Sequence, residues 1–270
     1  MHAVNPDKAL VARRFARSLP TYDRSAVVQR EMAAELATEL RRLAGATGFD
    51  RALDLGCGTG LLTERLLAAC RVRELYLNDL VPACAATAAA CQARHPETRV
   101  RFLAGDMETA ALPDQLDLVA ANAALQWAGN LPTFLAGLCA RLRPGGWLAL
   151  GTFGPANLRE ITRITGQTLP YWSVQEWRTA LAASCEVLVA RERMRTLTFP
   201  DLRALLRHLQ ETGVNSLAAR PWTPREVAAF GRDYAAACGH NGALPLTYHP
   251  LVIVARLRGA ALPCPTGDAA

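Results

Sequence analysis

A cluster of glycines between an apolar strand and a helical segment constrains this chain more than any other feature. The run Leu53-Asp-Leu-Gly-Cys-Gly-Thr-Gly60 ends a short apolar stretch and precedes the helical residues 61–69. Glycines remove the side chains that keep a ligand away from the backbone, so this loop can approach a nucleotide-like molecule closely. A dinucleotide motif, G-x-G-x-x-G, would need glycine at position 61, where Leu61 stands. The loop therefore favours a nucleotide-like ligand other than a dinucleotide.

Apolar strands alternate with helical segments on both sides of this loop. Strands are predicted at residues 51–55, 74–79, 100–104, 116–122 and 147–153. Five strands separated by helices predict an α/β fold with a doubly wound, mostly parallel sheet, which binds ligands at the carboxyl ends of its strands. Two later extended stretches, 186–199 and 246–257, are expected to close the sheet, which then has seven strands.

The periodicity outside these strands predicts additional helical parts. Residues 6–44 have apolar positions at helical spacing, and Pro20 is expected to break that run. The predicted organisation is an N-terminal helical arm (1–45), a ligand-binding core (46–199), a helical cap (200–243), a closing strand of the core (244–258) and a tail (259–270) rich in Pro, Gly and Ala.

Composition narrows the class of protein. No run of about 18 apolar residues and no secretory signal is evident, so we expect a cytoplasmic protein that does not enter a membrane. The eight cysteines include no C-x-x-C pair, which favours buried thiols and no bound metal. The net charge of +6 comes mainly from arginine, and Lys8 is the only lysine. This excess indicates either a compositional bias or an acidic partner.

Acidic and amide side chains follow successive predicted strands. Asp79 ends the second strand, Asp106-Met107 follows the third and Asn122 ends the fourth, while a Pro-Gly-Gly turn at 144–146 precedes the fifth. Together with Asp54 and the G-x-G-x-G loop, this series resembles the class I S-adenosylmethionine-dependent methyltransferases, which have a Rossmann-like fold. The resemblance implies S-adenosyl-L-methionine as co-substrate.

The resemblance also implies a role for each cofactor-binding position. The implied residues are Asp54, Gly56, Gly58, Gly60, Asp79, Leu80, Asp106, Met107, Asn122 and Gln126. The glycines would border the methionyl part and Asp54 its ammonium group. Asp79 would accept hydrogen bonds from both ribose hydroxyls, and Asp106 would accept one from the adenine amino group. Turn-forming or helix-capping roles for the aspartates and for Asn122 remain the alternatives.

Segments outside this series resemble one family more closely, the malonyl-acyl-carrier-protein O-methyltransferases of biotin synthesis. The similar segments are residues 15–22, 122–127, 152–158, 206–215 and 245–250. The resemblance implies transfer of a methyl group to the free carboxylate of a malonyl thioester. Because a carboxylate is already ionised at pH 7, no general base is required. The residues expected to position the substrate are Tyr22, His208, Arg220, Tyr248 and His249, and Gln126 and Trp127 are expected to line the pocket.

Partners follow from the same resemblance. Acyl carrier protein is acidic, so the resemblance implies a basic docking face, for which the candidates are Arg191, Arg193, Arg195, Arg203 and Arg207. Nucleic acid is not expected, because Asn122-Ala-Ala-Leu differs from the Asn-Pro-Pro-aromatic motif of base methylation. We expect a monomer. The alternatives are a methyltransferase for another small carboxylic acid or a quinone precursor, and a hydroxylase or assembly factor with the methyltransferase fold.

Overall fold

Strands and helices alternate along the core, as the sequence predicts. The computed structural model describes residues 2–3, 7–45, 48–213 and 222–259. The strands are β1 (His2–Ala3), β2 (Phe49–Leu55), β3 (Val72–Asp79), β4 (Arg99–Ala104), β5 (Leu116–Asn122), β6 (Leu142–Phe153), β7 (Gln167–Thr168), β8 (Cys185–Glu192), β9 (Arg195–Phe199), β10 (Leu244–Tyr248) and β11 (Pro250–Leu257). The helices are α1 (Lys8–Ser25), α2 (Val27–Ala44), α3 (Leu61–Ala69), α4 (Ala85–Arg94), α5 (Leu131–Arg141), α6 (Arg159–Thr165), α7 (Val174–Ala182), α8 (Leu202–Glu211) and α9 (Pro224–Cys238), with 3-10 turns at Pro82–Cys84 and Leu125–Trp127. None of these helices is long and apolar enough to cross a membrane.

Seven strands form the central sheet in the order β4-β3-β2-β5-β6-β11-β8. The first five are parallel, and β11 runs antiparallel to both β6 and β8. From β2 the chain proceeds outward through β3 and β4, then returns to the other side of β2 with β5. The connections therefore diverge between β2 and β5, which leaves a crevice at the carboxyl ends of these strands. The Rossmann-like fold class, with helices inserted before the last strand, is confirmed.

The sheet is covered on both faces by apolar side chains. On β5, Ala120 belongs to the cluster under α2, α3 and α4, whereas its neighbour Val119 belongs to the cluster on the opposite face. Both residues are fully buried, as in parallel strands covered by helices on two sides. The arm joins this core through α2, where Leu36 and Leu40 are also fully buried.

Each of the two late extended stretches forms two strands, where the sequence predicts one. Only β8 and β11 belong to the central sheet, while β9 and β10 pair antiparallel with each other in a separate sheet. The small sheet contributes Leu244 and Leu246 to a third apolar cluster, which includes Leu205 of α8 and Phe230 of α9. The strands thus leave the central sheet to support the cap helices. The bends fall where the apolar pattern is interrupted, at residues 191–195 and at His249-Pro250, so the two predicted stretches are each too long for one strand.

The arm also differs from expectation at Pro20. This proline lies inside α1, and the helical run is interrupted instead at Ala26, whose φ of −80° and ψ of 52° are not helical. The side-chain hydroxyl of Ser18 donates to the Phe15 carbonyl at 3.0 Å, and that of Thr21 donates to the Ser18 carbonyl at 3.1 Å. Pro20 removes one backbone donor, the one that would bond to the Ala16 carbonyl, and neither hydroxyl replaces it; α1 nevertheless continues past the proline to Ser25.

Candidate cofactor cleft and cap

A cleft lies at the carboxyl ends of β2, β3 and β5, where the sheet connections diverge. It contains about 990 Å³ of empty space, part of which is open to solvent, within the range of small-molecule sites. The predicted site residues that line it are Tyr22, Gly56, Gly58, Asp79, Leu80, Asp106, Met107 and Asn122. Of the other predicted cofactor residues, Asp54, Gly60 and Gln126 do not contribute to its wall. The structure therefore brings most of the predicted cofactor residues to one place.

The glycine loop adopts backbone conformations that side chains disfavour. Gly56, Gly58 and Gly60 have φ values of +66°, +52° and +89°, in the left-handed region. At Gly56, a Cβ atom would lie 2.5 Å from the Cβ of Ala124, whereas at Gly58 it would meet nothing within 4 Å. Gly60 precedes the first residue of α3. The loop thus needs glycine for its backbone angles, and at Gly56 also for space.

Asp54 is a buried carboxylate below the glycine loop. The Thr63 hydroxyl donates to its Oδ2 at 2.6 Å, while its Oδ1 is buried without a hydrogen-bond partner among the described residues. Burial raises the pKa of Asp54 to about 7, although the Thr63 hydrogen bond opposes the shift. A cationic group near Oδ1 would favour the ionised form, which fits a carboxylate that faces an ammonium group.

Asp79 connects the end of β3 to the glycine loop. Its Oδ2 accepts a hydrogen bond from the Gly58 amide and its Oδ1 accepts one from the Val81 amide, both at 2.8 Å. Burial raises the pKa of Asp79 despite these two donors. Each carboxylate oxygen can accept a further hydrogen bond, so two vicinal hydroxyls remain compatible with this geometry.

The neighbouring Asn78 also lines the cleft, although the sequence does not identify it as a site residue. Its Nδ2 donates to the Leu103 and Gly105 carbonyls at 2.9 and 3.0 Å, whereas its buried Oδ1 lacks a partner in the described part of the chain. An unpartnered acceptor at the cleft wall is a position where a ligand can donate a hydrogen bond.

Asp106 is joined to the arm by Lys8, a residue that the sequence singles out only as the sole lysine. Lys8 Nζ lies 2.5 Å from Asp106 Oδ2 and also forms an ion pair with Glu108. Both carboxylates raise the pKa of Lys8 by more than burial lowers it. Glu108 also accepts hydrogen bonds from the Gly129 and Asn130 amides. No sequence pattern indicates this link, because Lys8 and Asp106 are almost one hundred residues apart.

Asn122 is fixed at the end of β5 by the second helix of the arm. Its Nδ2 donates to the Gln29 carbonyl at 2.9 Å, and its buried Oδ1 has no partner among the described residues. Gly151 of the adjacent strand makes room for this side chain, because a Cβ there would lie 2.4 Å from Asn122 Oδ1. Gln126 instead donates to the Ala123 carbonyl at 2.8 Å, behind the wall. Trp127 lines the cleft, and its Nε1 is buried without a partner in the same described set.

Helix α1 forms one wall of the cleft. Val11, Phe15, Leu19 and Tyr22 line it, and the ring of Phe15 packs against Tyr22 and, edge-on, against Trp127, with centroids 6.2 and 5.9 Å apart. Burial raises the pKa of the Tyr22 hydroxyl, so this side chain stays neutral and can donate a hydrogen bond at neutral pH. Among the described residues, Tyr22 is the one predicted substrate-positioning residue that lines the cleft.

The remaining predicted substrate residues lie on α8, at or just after the end of β10, or outside the described residues. His208 Nε2 and the Tyr248 hydroxyl are 2.7 Å apart, with exposed fractions of 9% and 1%. Burial lowers the pKa of His208 to about 4, so the imidazole is neutral. His249 accepts a hydrogen bond from the Ala156 amide and contacts Glu192 at 3.1 Å. None of these three lines the cleft, and Arg220 lies outside the described residues.

Three of the five arginines expected to form a docking face have carboxylate partners within the chain. Arg191 contacts Glu39 of α2 at 2.5 Å, Arg193 pairs with Glu35, and Arg195 contacts Glu31 at 3.3 Å. Glutamates four residues apart on one helix face thus meet arginines two residues apart along an extended segment. No sequence pattern indicates these ion pairs, which neutralise much of the predicted basic surface. Arg203 and Arg207 are exposed on α8.

The cysteines of the described chain are free thiols, and its potential metal ligands are dispersed. Six of its seven cysteines are buried free thiols and Cys238 is half-buried; Cys264 lies outside it. Across the ranges described above, no three His, Cys, Asp or Glu side chains are grouped so that they could hold a metal ion.

Comparison with known proteins places this geometry among methyltransferases. Residues 53–150 match the family model described as a methyltransferase domain. The malonyl-[acyl-carrier protein] O-methyltransferase of Chlorobium luteolum is 40% identical over 253 residues, covering 93% of this chain and 96% of that protein. The enzyme of the same name from Acinetobacter baylyi is 35% identical over 257 residues, covering 94% and 98%.

Solved structures share the fold at lower identity. A putative methyltransferase from Bacillus halodurans superposes with a TM-score of 0.59 at 17% identity, covering 82% of this chain and 98% of that one. The N-methyltransferase NodS from Bradyrhizobium japonicum, in complex with S-adenosyl-L-homocysteine, has a TM-score of 0.56 at 17% identity and covers 92% and 98%. At these identities the likeness establishes the fold alone.

Proposed function

The chain belongs to the family of malonyl-[acyl-carrier protein] O-methyltransferases, and from that premise we propose that it transfers a methyl group from S-adenosyl-L-methionine to the free carboxylate of malonyl-acyl carrier protein. The product would be the malonyl methyl ester that primes pimeloyl formation in biotin synthesis. The observation that carries the proposal is the extent of the match, because the Chlorobium relative is similar over 93% of the chain. That length includes the arm and the cap, which lie outside the methyltransferase domain at 53–150.

The cleft residues fit the co-substrate chemically. Asp54, buried behind the cleft wall with an unpartnered Oδ1, would favour an ammonium group at that wall by its charge, and Asp79, in the wall, would accept hydrogen bonds from the ribose hydroxyls. Asp106 would accept one from the adenine amino group, beside its ion pair with Lys8. The glycine loop would let the methionyl part approach the backbone, since a Cβ at Gly56 has no room. When bound, the sulfonium supplies an electrophilic methyl group.

The protein's own contribution to the reaction would be positioning and exclusion of water. The malonyl carboxylate is ionised at neutral pH, so no side chain has to remove a proton from it. Tyr22 would donate a hydrogen bond to this carboxylate and fix its orientation. Phe15, Leu19 and Trp127 provide an apolar wall beside it, which limits competition by water. The Tyr248 hydroxyl and His208 Nε2 are hydrogen-bonded to each other. We therefore propose that these two side chains support the cap and act on the substrate only indirectly.

Transfer of a labelled methyl group to purified malonyl-acyl carrier protein tests the proposal. We expect the carrier protein to gain the mass of one CH2 group, and alkaline hydrolysis of the ester to release the label. Free malonate, trans-aconitate and a quinone precursor serve as competing acceptors. Preferred methylation of one of these, or no methyl transfer by the folded wild-type protein to any malonyl thioester, would contradict the proposal.

Two variants test the separate roles of Tyr22 and Asp79. Tyr22→Phe should lower kcat/KM for the malonyl acceptor about 10-fold, the cost of one buried hydrogen bond, while binding of S-adenosylhomocysteine stays within about two-fold. Asp79→Asn should weaken that binding about 10-fold or more and should leave KM for the acceptor nearly unchanged. Thermal unfolding of each variant separates these effects from loss of the fold. Equal loss of both properties in both variants would refute the division of roles.

A further inference from the structure

Helix α1 has two faces with different chemistry. Residues 8, 11, 15, 19 and 22 recur every three or four positions, so they share one face of the helix, and all five line the cleft. The sole carboxylate in α1, Asp23, accepts a hydrogen bond from the Thr59 hydroxyl of the glycine loop. Together with the Lys8 ion pairs, this contact holds the inner face of α1 against the cofactor site.

The outer face of α1 carries only positive charge. Arg13 and Arg17 are four residues apart and exposed, about half a turn away from the cleft-lining positions. Among the described residues, no carboxylate forms an ion pair with either guanidinium. Arg24 lies on the same face and pairs with Glu211 of α8 at 3.3 Å. Arg14 lies between Arg13 and Arg17 in sequence. Burial and the charges of these two neighbours lower its pKa, which indicates a concentration of positive charge here.

Helix α8 packs beside α1 and repeats this arrangement. Arg203 and Arg207 are four residues apart and exposed, opposite the buried side chains of Leu205 and Leu209. The two helices contact each other directly, as shown by the hydrogen bond of 2.5 Å from the Ser25 hydroxyl to Glu211. The described part of this region therefore presents four exposed arginines, two on each of two adjacent helices. The arginines at 191, 193 and 195 differ from them because they form ion pairs with glutamates of α2.

We propose that the outer face of α1, through Arg13 and Arg17 and extended by Arg203 and Arg207 of α8, is the docking surface for the acidic carrier protein. The inference rests on the proposed function. A partner on this face would stand about one helix diameter, roughly 10 Å, from the cleft that the inner face of α1 lines. A thioester on a flexible prosthetic arm can cover that distance. The same helix would thus contact the protein part of the substrate outside and its malonyl group inside.

Charge reversal tests the surface with two acceptors. The double variant Arg13→Glu, Arg17→Glu is compared with Arg71→Glu, Arg99→Glu, which makes the same change in net charge at exposed positions near the amino ends of β3 and β4, whereas α1 lies at the carboxyl ends of the strands. Each is assayed with malonyl-acyl carrier protein and with malonyl-N-acetylcysteamine, a small thioester that has the malonyl carboxylate but no carrier domain. We expect the first variant to lose about 10-fold or more in kcat/KM for the carrier protein only. Added salt should reduce the wild-type rate on the carrier protein towards that of the variant.

The outcomes separate this inference from the proposed function. Wild-type activity on both acceptors, with retained carrier-protein activity in the Arg13 and Arg17 variant, would overturn the docking surface and leave the reaction intact. An equal loss in the Arg71 and Arg99 variant would also overturn it, because net charge alone would then explain the effect. Absence of wild-type activity on both acceptors would instead refute the proposed function.

Discussion

Without bound ligand, the Asp54→Asn variant should become more stable relative to wild type as the pH rises. Burial raises the pKa of Asp54 from 3.8 to about 7. Because the folded protein holds this proton more tightly than the unfolded chain, its stability falls as pH rises from about 4 to 7, and the penalty is complete above that range. Three pKa units correspond to about 4 kcal/mol, of which about 3 kcal/mol develops between pH 5 and pH 8. Asp54→Asn cannot ionise and escapes this penalty.

Urea denaturation of both proteins at pH 5 and pH 8 measures the effect. The free energy of unfolding of the variant, relative to wild type, should rise by about 3 kcal/mol between the two pH values. Asp50→Asn, an exposed aspartate at the start of the same strand, should show a change below about 0.5 kcal/mol. Saturating S-adenosylhomocysteine should reduce the difference, since its ammonium group favours the carboxylate. A variant whose relative stability is the same at pH 5 and pH 8 would refute the shifted pKa.

Two further substitutions test the cleft and its attachment to the arm. Gly56→Ala should lose at least 1 kcal/mol more stability in urea than Gly58→Ala, since both have positive φ but only Gly56 has a neighbouring Cβ 2.5 Å away; equal losses would show that Ala124 moves aside. Lys8→Met should cost about 1 kcal/mol and accelerate amide hydrogen exchange in α1, because its ion pairs are partly buried; unchanged exchange rates in α1 would show that Lys8 does not hold the arm.

Local patterns predict most of the residues that line the cleft because these residues are close to their strands in sequence. Asp79 and Asn122 each end a strand, and parallel strands bring their carboxyl ends to one edge of the sheet. A strand-by-strand interpretation is therefore enough to predict that they meet. Gln126 shows the limit of this reasoning, since a 3-10 turn directs its side chain to the Ala123 carbonyl and away from the wall.

The arm and the cap depend on contacts between distant segments, which periodicity does not encode. Nothing local indicates that Lys8 meets Asp106, or that Glu35 meets Arg193. The Pro20 prediction is wrong for a related reason, since α1 is stabilised by packing over the cleft and tolerates a proline that an isolated helix would not. His208 and Tyr248 are conspicuous in the sequence as polar side chains, but their mutual hydrogen bond in an apolar cluster becomes evident only in three dimensions.

The packing of α2 has a consequence for the order in which the protein can be completed during synthesis. Helix α2 packs against β11, whose residues leave the ribosome more than two hundred positions later. Its partners Arg191 and Arg193 are also synthesised late. Until β11 joins the sheet, the apolar side chains of α2 lack part of their native contacts. The exposed apolar surface of the nascent arm can then bind chaperones or associate with other chains. Chains interrupted before β11 should therefore aggregate even though every strand of the cofactor cleft is already present.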